Sequence, residues 1–263
     1  MHPYDSRDLL IYLAVKYEGD YSKILTALHL KEDDDISPDT VKKVCSSLKC
    51  KTITLLDYDY PKKLKMVYHP PIVLFYYGDI SLLDDNKRKY GVVGSRACSD
   101  YGIAATNKIV SEMARGTILV SGMARGIDTV GHLAQINNGG RTIAVLGSGI
   151  DNCYPPENKE LYEKLKKEHL VISEYPNNAT PDGVRFPQRN RIVTGLSDAL
   201  IVPQINTYLS GTMISINMMM NLGRPVFFVP NPITEETINN KFLQEGADFA
   251  ESGRQILEDM KWD

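Results

Sequence analysis

Two short turns carry the residue types that could bind an anion, and each follows an apolar run of the sequence. The first turn is Gly94-Ser95-Arg96, and the second contains Gly122 and Arg125. Where a strand turns into a helix, free backbone N–H groups and the helix dipole attract negative charge. Glycine also lets an anion approach the backbone closely. The residues indicate phosphate binding, although glycines that only permit tight turns would give the same pattern.

A polar, proline-rich segment further along adds arginines around an aromatic ring. Its candidate residues are Arg185, Phe186, Arg189, Asn190 and Arg191. Guanidinium groups bind phosphates and an exposed ring stacks on a base, which is the equipment of a site for single-stranded nucleic acid. The alternative is that Phe186 packs into the core while the arginines pair with carboxylates. Composition alone leaves both interpretations open.

A third anion-friendly terminus is predicted where Ser210 and Gly211 open a helix. A serine at this position caps the first turn, and glycine leaves its backbone N–H accessible. The methionines that follow are interpreted as packing residues, because the flexible thioether fills irregular gaps in cores and interfaces.

The sequence does not predict a catalytic centre, so we expect a protein that is not an enzyme. Ser121, Asp128 and His132 could be drawn as nucleophile, acid and base, but the chain lacks a GxSxG elbow. A histidine on a helix is more often structural. Glu174 is a lone carboxylate, so paired acid–base catalysis is not indicated either.

Cofactor and metal motifs are also missing. The Gly-Ser-Gly turn at 147–149 follows a strand, but Asn152 replaces the third glycine of the dinucleotide fingerprint. The Walker pattern is absent, and the four cysteines form no CxxC or zinc-like spacing. We therefore expect no cofactor and no metal. The cysteines are interpreted as reduced thiols, with Cys98, in the first turn, as the one that could react.

The composition is that of an ordinary globular protein. Of 263 residues, 43% are hydrophobic and 24% are charged, with a formal net charge of −3. No apolar run approaches the ~18 residues of a membrane span, and the first residues lack the order of a signal peptide. A cytoplasmic protein without a membrane partner is expected. The net charge argues against a uniformly basic surface but allows a local basic groove.

The elements that must position these residues follow from a repeated pattern of strand, turn and helix. Strands are predicted at 90–94, 117–121, 142–147, 170–174, 199–203 and 225–229. Helices are predicted at 101–114, 126–138, 157–168, 189–196, 211–222, 238–246 and 254–260. This alternation predicts an α/β fold, an extended Rossmann-like, doubly wound and mostly parallel sheet.

The part before this alternation is divided in two by its composition. Residues 1–50 predict a small helical unit, interrupted by an acidic run at 31–35. Residues 51–85 alternate short apolar runs with turns and join that unit to the sheet domain, 86–263. A good strand candidate lies at 72–77.

Taken together, the motifs resemble those of the DprA/Smf family of DNA-processing proteins. The resemblance rests on VVGSRACSDYG, LVSGMARGIDTVGH, TIAVLGSGIDNCYPPEN, ISEYP, FPQRNRIVTGLSD and LSGT, and on YPKKL with HPPIVLFYYGD. These motifs stand in order and cover about residues 55 to 250. Each motif alone is weak, but the ordered set is highly specific.

This resemblance implies a Rossmann-like protein that binds single-stranded DNA and forms a homodimer. It also implies that the protein protects incoming strands and loads RecA onto them during natural transformation. The family's DNA pocket would map onto the turns described above, with Phe186 stacking on a base or wedged against it. The helical residues 1–50 would correspond to a SAM-like unit, and no C-terminal winged-helix domain is expected.

The chain also departs from the family pattern at several places. The segment after the strand near Asp198 reads Val202-Pro203-Gln204, and the last strand is followed by Pro230-Asn231. A competing hypothesis is a small-nucleotide sensor or a nucleotide phosphoribohydrolase on a related Rossmann-like fold. The turn 209–212 echoes such enzymes only in part, because no acid follows at helical spacing.

Overall fold

A computed structural model describes residues 5–31, 36–177 and 179–262. Most of the predicted acidic run, residues 32–35, lies outside the described residues. The strands, in chain order, are β1 Lys51–Thr54, β2 Val73–Gly78, β3 Lys89–Val92, β4 Ile118–Ser121, β5 Arg141–Leu146, β6 Leu170–Ser173, β7 Ala199–Val202, β8 Val226–Phe228 and β9 Asp248–Phe249. They form one nine-stranded sheet in the order β1-β2-β6-β5-β4-β3-β7-β8-β9.

Helices fill the connections between these strands. They are α1 Ser6–Lys16, α2 Tyr21–His29, α3 Pro38–Ser47, α4 Lys62–Lys65, α5 Asp100–Met113, α6 Ile127–Asn137, α7 Lys159–Glu168, α8 Arg185–Leu196, α9 Gly211–Asn221, α10 Asn239–Gln244 and α11 Gly253–Asp259. Short 3₁₀ turns lie at Ile80–Leu83 and Pro156–Asn158. No helix in the described ranges is long and apolar enough to cross a membrane.

The predicted fold class is confirmed. Across the sheet, the seven strands in the order β6-β5-β4-β3-β7-β8-β9 are all parallel, while β1 and β2 add an antiparallel edge beside β6. The chain winds outward from β3 in one direction to β6, then returns to pair β7 with the other side of β3. Tyr90 of β3 thus lies between Leu119 of β4 and Ala199 of β7. Ligands of open α/β sheets bind at such a switch of direction.

The sheet is buried on both faces, as its near-continuous apolar strands require. Ile143 and Val145 of β5 join one core cluster, and Ala144 and Leu146 join the cluster on the other face. This alternation is the two-residue period of a strand. The packed side chains on both faces hold the strands in place, so their carboxyl ends form one edge of the sheet. The candidate site lies at that edge.

The N-terminal helices pack against the sheet. Leu13 of α1 and Ile24 of α2 share a core cluster with Phe75 of β2 and Leu146 of β5. Arg7 also donates to a carboxylate oxygen of Asp57 at 3.0 Å, which ties α1 to the loop after β1. The division into 1–50, 51–85 and 86–263 stays a prediction.

Several elements differ from the sequence expectations, among them α8 and β9. Helix α8 begins at Arg185, not at residue 189, so Arg185 and Phe186 lie in its first turn. Pro187 is compatible with this earlier start, because the N–H groups of a first turn have no partner within the helix. β9 was not predicted; it has two exposed residues, too few to form a pattern.

Candidate nucleic-acid interface

The sheet's switch of direction opens into a cleft of about 630 Å³, here called the switch-point cleft. The turns after β3 and β7 form one wall, and the first turns of α8 and α9 form the other. The predicted site residues that line it are Gly94, Ser95, Arg96, Phe186, Arg189, Asn190, Ser210 and Gly211. Its size is that of a typical ligand pocket.

The turn after β3 is held by hydrogen bonds to the backbone and side chains of the segment after β7 and the start of α9. The Ser95 N–H donates to the Gln204 carbonyl at 2.9 Å, and the Asn206 N–H donates to the Ser95 hydroxyl at 3.1 Å. The Thr212 hydroxyl donates to the Gly94 carbonyl at 3.1 Å. A Cβ on Gly94 would lie 2.6 Å from Ile127. Glycine is therefore required here for close packing of the two turns.

The turn after β4 packs against the turn after β3. Gly126 has a φ of +72°, and a Cβ there would lie 2.3 Å from the Ser95 carbonyl oxygen. Only glycine combines this backbone conformation with so close an approach. The neighbouring Arg96 is exposed. The turns after β3 and β4 thus pack directly against each other, and Arg96 projects from them into the solvent.

Phe186 is half-buried between the two turns and the start of α8. The Arg96 guanidinium carbon lies 5.5 Å from its ring centre, and the Tyr154 ring lies 5.5 Å away on another side. A Cβ on Gly147 would lie 2.6 Å from the Phe186 ring. The Phe186 ring therefore packs over Gly147, between the Arg96 guanidinium and the Tyr154 ring. It does not belong to the core clusters.

Arg189 is buried beneath the cleft and has partners of its own. Its Nη1 donates to the Val145 carbonyl at 2.6 Å, and the space beside it exists because Gly122 has no side chain. Burial raises the pKa of the nearby Asp128 carboxyl, and the Arg189 charge opposes that rise. Asp128 accepts the Gly122 N–H at 3.1 Å, so the group holds the turn after β4.

Arg191 lies on a different face of α8. Its Nη2 donates to the Glu174 carboxylate at 2.6 Å, and its Nε donates to the His69 carbonyl at 2.8 Å. The two side chains are 12% and 5% exposed. Burial raises the pKa of the Glu174 carboxyl and Arg191 lowers it, so the carboxylate depends on this arginine. Glu174, predicted as a lone carboxylate, has this partner in the structure.

The remaining candidates are distributed around these groups. Arg185 donates to the Glu18 carboxylate at 2.6 Å, across from α1. Arg125 pairs with Glu157 at the surface. The Asn190 side-chain amide donates to the Gly211 carbonyl at 3.0 Å. Gly122 and Arg125 line a small cavity under Phe186, whereas Arg185 and Arg191 line a separate groove.

Two residues that were not predicted as site residues support the turn after β3, and one of them, Asn206, also lines the switch-point cleft. Gln204 is buried; its side-chain oxygen accepts the Ser99 N–H at 2.9 Å and its backbone carbonyl holds Ser95. The Asn206 side chain donates to the Ala97 carbonyl at 3.1 Å. Gln204 stands where the sequence departs from the family pattern. That departure was the one feature of the sequence that could have pointed to Gln204.

Ser121, Asp128 and His132, the candidate nucleophile, acid and base, are all buried. The Ser121 hydroxyl donates to the Val92 carbonyl at 2.6 Å, and His132 Nδ1 lies 2.7 Å from the Thr142 hydroxyl. Burial lowers the pKa of His132 to about 3, so the imidazole is neutral. Within the ranges that the structure covers, no group of three or more potential ligands could hold a metal ion.

Cys98, in the turn after β3, is half-buried and unpaired. Burial raises the pKa of its thiol, which lowers the fraction of reactive thiolate at neutral pH. The geometry around Cys98 therefore gives no support to a reactive thiol.

The fold and site define a doubly wound α/β protein with an anion-compatible cleft at its switch point. The sequence model of the family DNA recombination-mediator protein A matches residues 51–261. The DNA processing protein DprA of Streptococcus pneumoniae is 39% identical over 213 residues, which is 80% of this chain and 74% of that protein. The chain therefore belongs to the DprA/Smf family of DNA-processing recombination mediators.

Two solved structures extend this similarity to three dimensions. The X-ray structure of DprA from Streptococcus pneumoniae has a TM-score of 0.82 and 32% identity, and the match covers 97% of this chain and 98% of that one. DprA from Helicobacter pylori, whose structure concerns single-stranded DNA binding, has a TM-score of 0.73 and 28% identity. That match covers 82% of this chain and 97% of the other.

Proposed function

We propose that this protein binds single-stranded DNA in the switch-point cleft and acts as a recombination mediator. The observation that carries the proposal is the position of Arg96 beside Phe186 at the mouth of the cleft. Arg96 is exposed, and none of the carboxylates that the structure describes pairs with it. A free guanidinium next to a half-buried ring offers a phosphate contact and a stacking surface together.

The candidate residues divide into three groups within this proposal. Gly94, Ser95, Arg96, Phe186 and Asn190 contact the strand, with Ser210 and Gly211 at the start of α9. Gly122 and Arg189 hold the floor of the cleft, and Arg125 borders it. Arg185 and Arg191 position α8, because each already pairs with a carboxylate.

The cellular role in the proposal follows from the family. The chain would protect incoming single strands and deliver RecA onto them during natural transformation, without covalent chemistry. A homodimer would present two clefts to one strand, which raises the effective concentration of the second site. Light scattering tests the homodimer, and RecA filament assembly on strands covered by single-strand-binding protein tests the delivery.

The first experiment is fluorescence anisotropy with a labelled oligothymidylate, against a duplex of equal length, at two salt concentrations. We expect tighter binding to the single strand, and binding that weakens with salt as phosphate contacts require. Phe186→Ala is expected to cost about 1–3 kcal/mol of binding free energy. Equal affinity for duplex and single strand, or no binding at low salt, would contradict the proposal.

A small-nucleotide ligand is the competing function. The size of the switch-point cleft favours it, since about 630 Å³ falls within the usual volume of small-molecule pockets. A thermal shift by adenosine monophosphate, without oligonucleotide binding, would support this alternative over the DNA proposal.

A further inference from the structure

A second groove of about 880 Å³ lies on the other side of the first turn of α8. The turn between α1 and α2 forms one wall, and α8 forms the other. Tyr68 and His69, from the loop that leads to β2, stand at its edge, and Met218 of α9 contributes to its lining. We call this surface the tyrosine groove. The switch-point cleft does not include these residues.

Three aromatic rings are stacked in this groove. The Tyr21 and His69 rings lie 4.4 Å apart with an interplanar angle of 18°, and the Tyr68 and His69 rings lie 3.8 Å apart with an angle of 23°. Tyr68, at the outer end, is 81% exposed. A stack that ends in an open ring face presents a surface on which another flat ring can lie.

The stack is held by the ion pair beneath it. His69 has a φ of +53°, which non-glycine residues rarely adopt, and its carbonyl accepts the Arg191 Nε. Arg191 is itself held by Glu174. The backbone at His69 is therefore tied to α8, and this contact positions the two outer rings.

The tyrosine groove is continuous with the switch-point cleft. Pro187 lines both cavities. Along α9, Ser215 lines the cleft and Met218, one turn later, lines the groove. The segment before α8 is shared in the same way, with Gly183 facing the cleft and Val184 facing the groove. A strand that leaves the cleft over Pro187 would therefore reach the groove.

We propose that the tyrosine groove is a second base-stacking site for the same single strand, with Tyr68 as its outer platform. This inference rests on the proposed function. The groove's charges are of both signs and are partly paired, as in Arg185 with Glu18 and Lys23 with Asp20. The groove therefore binds bases, while the phosphate contacts remain at Arg96.

The test compares Tyr68→Ala with Tyr58→Ala in the full chain. Tyr58 is 100% exposed and lines neither surface, so it controls for the loss of an exposed tyrosine. Affinity is measured for oligothymidylates of about 4 to about 16 nucleotides, the range of site sizes of single-strand-binding modules. The shortest oligomer whose binding responds to Arg96→Ala defines occupancy of the switch-point cleft alone.

For the longest oligomer, Tyr68→Ala is expected to weaken binding by about 5- to 150-fold, the value of one stacked base. For the shortest oligomer, and in Tyr58→Ala at any length, affinity is expected to stay unchanged. Tyr68→Phe should restore binding, because stacking needs the ring and not the hydroxyl. The salt dependence of Tyr68→Ala should equal that of the wild type, since no phosphate contact is lost.

Two results overturn the inference, and they differ in what else they remove. Wild-type binding that Arg96→Ala weakens but Tyr68→Ala leaves unchanged at every length rejects the groove and keeps the proposed function. No single-strand binding by the wild type rejects both. Photo-cross-linking of an iodouracil-containing oligomer provides a second readout, and adducts at the peptide containing Tyr68 are expected.

Discussion

The switch-point cleft and the tyrosine groove lie on opposite sides of the same turn of α8, yet the arginines beside them differ in exposure and in pairing. Arg96 at the cleft is exposed and borders a ring, with its charge open to solvent. Arg191 beneath the groove is 12% exposed and donates to a carboxylate and to the His69 and Gln188 carbonyls. One arginine is available to a ligand, and the other is part of the scaffold.

This difference teaches that an arginine's role is set by its partners. A buried guanidinium must be neutralised and hydrogen-bonded, because desolvating a charge is costly. An exposed one keeps its hydration until a ligand arrives. Arg191 therefore supports the geometry of the surfaces around α8, whereas Arg96 can contribute binding free energy directly.

The largest effect is expected at the Arg191–Glu174 pair. Arg191→Ala leaves a 5% exposed carboxylate without its partner, so the free energy of unfolding should fall by about 3–5 kcal/mol. Arg141→Ala is the matched control: its pair with Asp79 is about half exposed, and a loss below about 1 kcal/mol is expected. Denaturant titration measures both. A stable Arg191→Ala protein with weakened DNA binding would place Arg191 among the contacting residues.

A smaller effect, on binding and not on stability, is expected at Arg96. Arg96→Ala should cost about 1–3 kcal/mol of binding free energy and lower the salt slope by about one. Arg115→Ala removes the same charge from an exposed site before β4, at the opposite edge of the sheet, and should leave affinity nearly unchanged. Equal losses in both variants would mean that only the net charge matters.

The contact between Arg96 and Phe186 should give a measurable coupling. The guanidinium carbon lies 5.5 Å from the ring centre, and such cation–π contacts contribute about 0.5–1 kcal/mol at exposed sites. A double-mutant cycle of Arg96→Ala and Phe186→Ala, read as the free energy of unfolding, isolates this term. Additive losses of stability would show that the two side chains do not interact in the free protein.

The sequence predicted the parts of this comparison that depend on local pattern. Alternating apolar runs and glycine turns predicted the parallel strands and the turns at Gly94 and Gly122. It could not predict the pairing of Arg191 with Glu174, because the end of β6 and the second turn of α8 meet only in the folded chain. For the same reason Gln204 was seen as a departure from the family and not as a support for Ser95.

The smallest effect is expected at Arg125, whose situation is intermediate between the two arginines above. It pairs with Glu157, and the two side chains are 59% and 47% exposed, so the pair is weak and can be broken. Glu157→Gln keeps the shape but frees the Arg125 charge beside the cavity under Phe186. Single-strand affinity should rise by roughly two- to fivefold, with a steeper dependence on salt.

Glu160→Gln is the matched control for Glu157→Gln, because it changes net charge equally at another exposed position near the start of α7. Anisotropy of both variants separates a freed arginine from a general loss of negative charge. A gain confined to Glu157→Gln, and abolished when Arg125→Ala is added, would place Arg125 with Arg96 as an available cation. An equal gain in both variants would instead mean that the lost negative charge, and not a freed Arg125 guanidinium, raises the affinity.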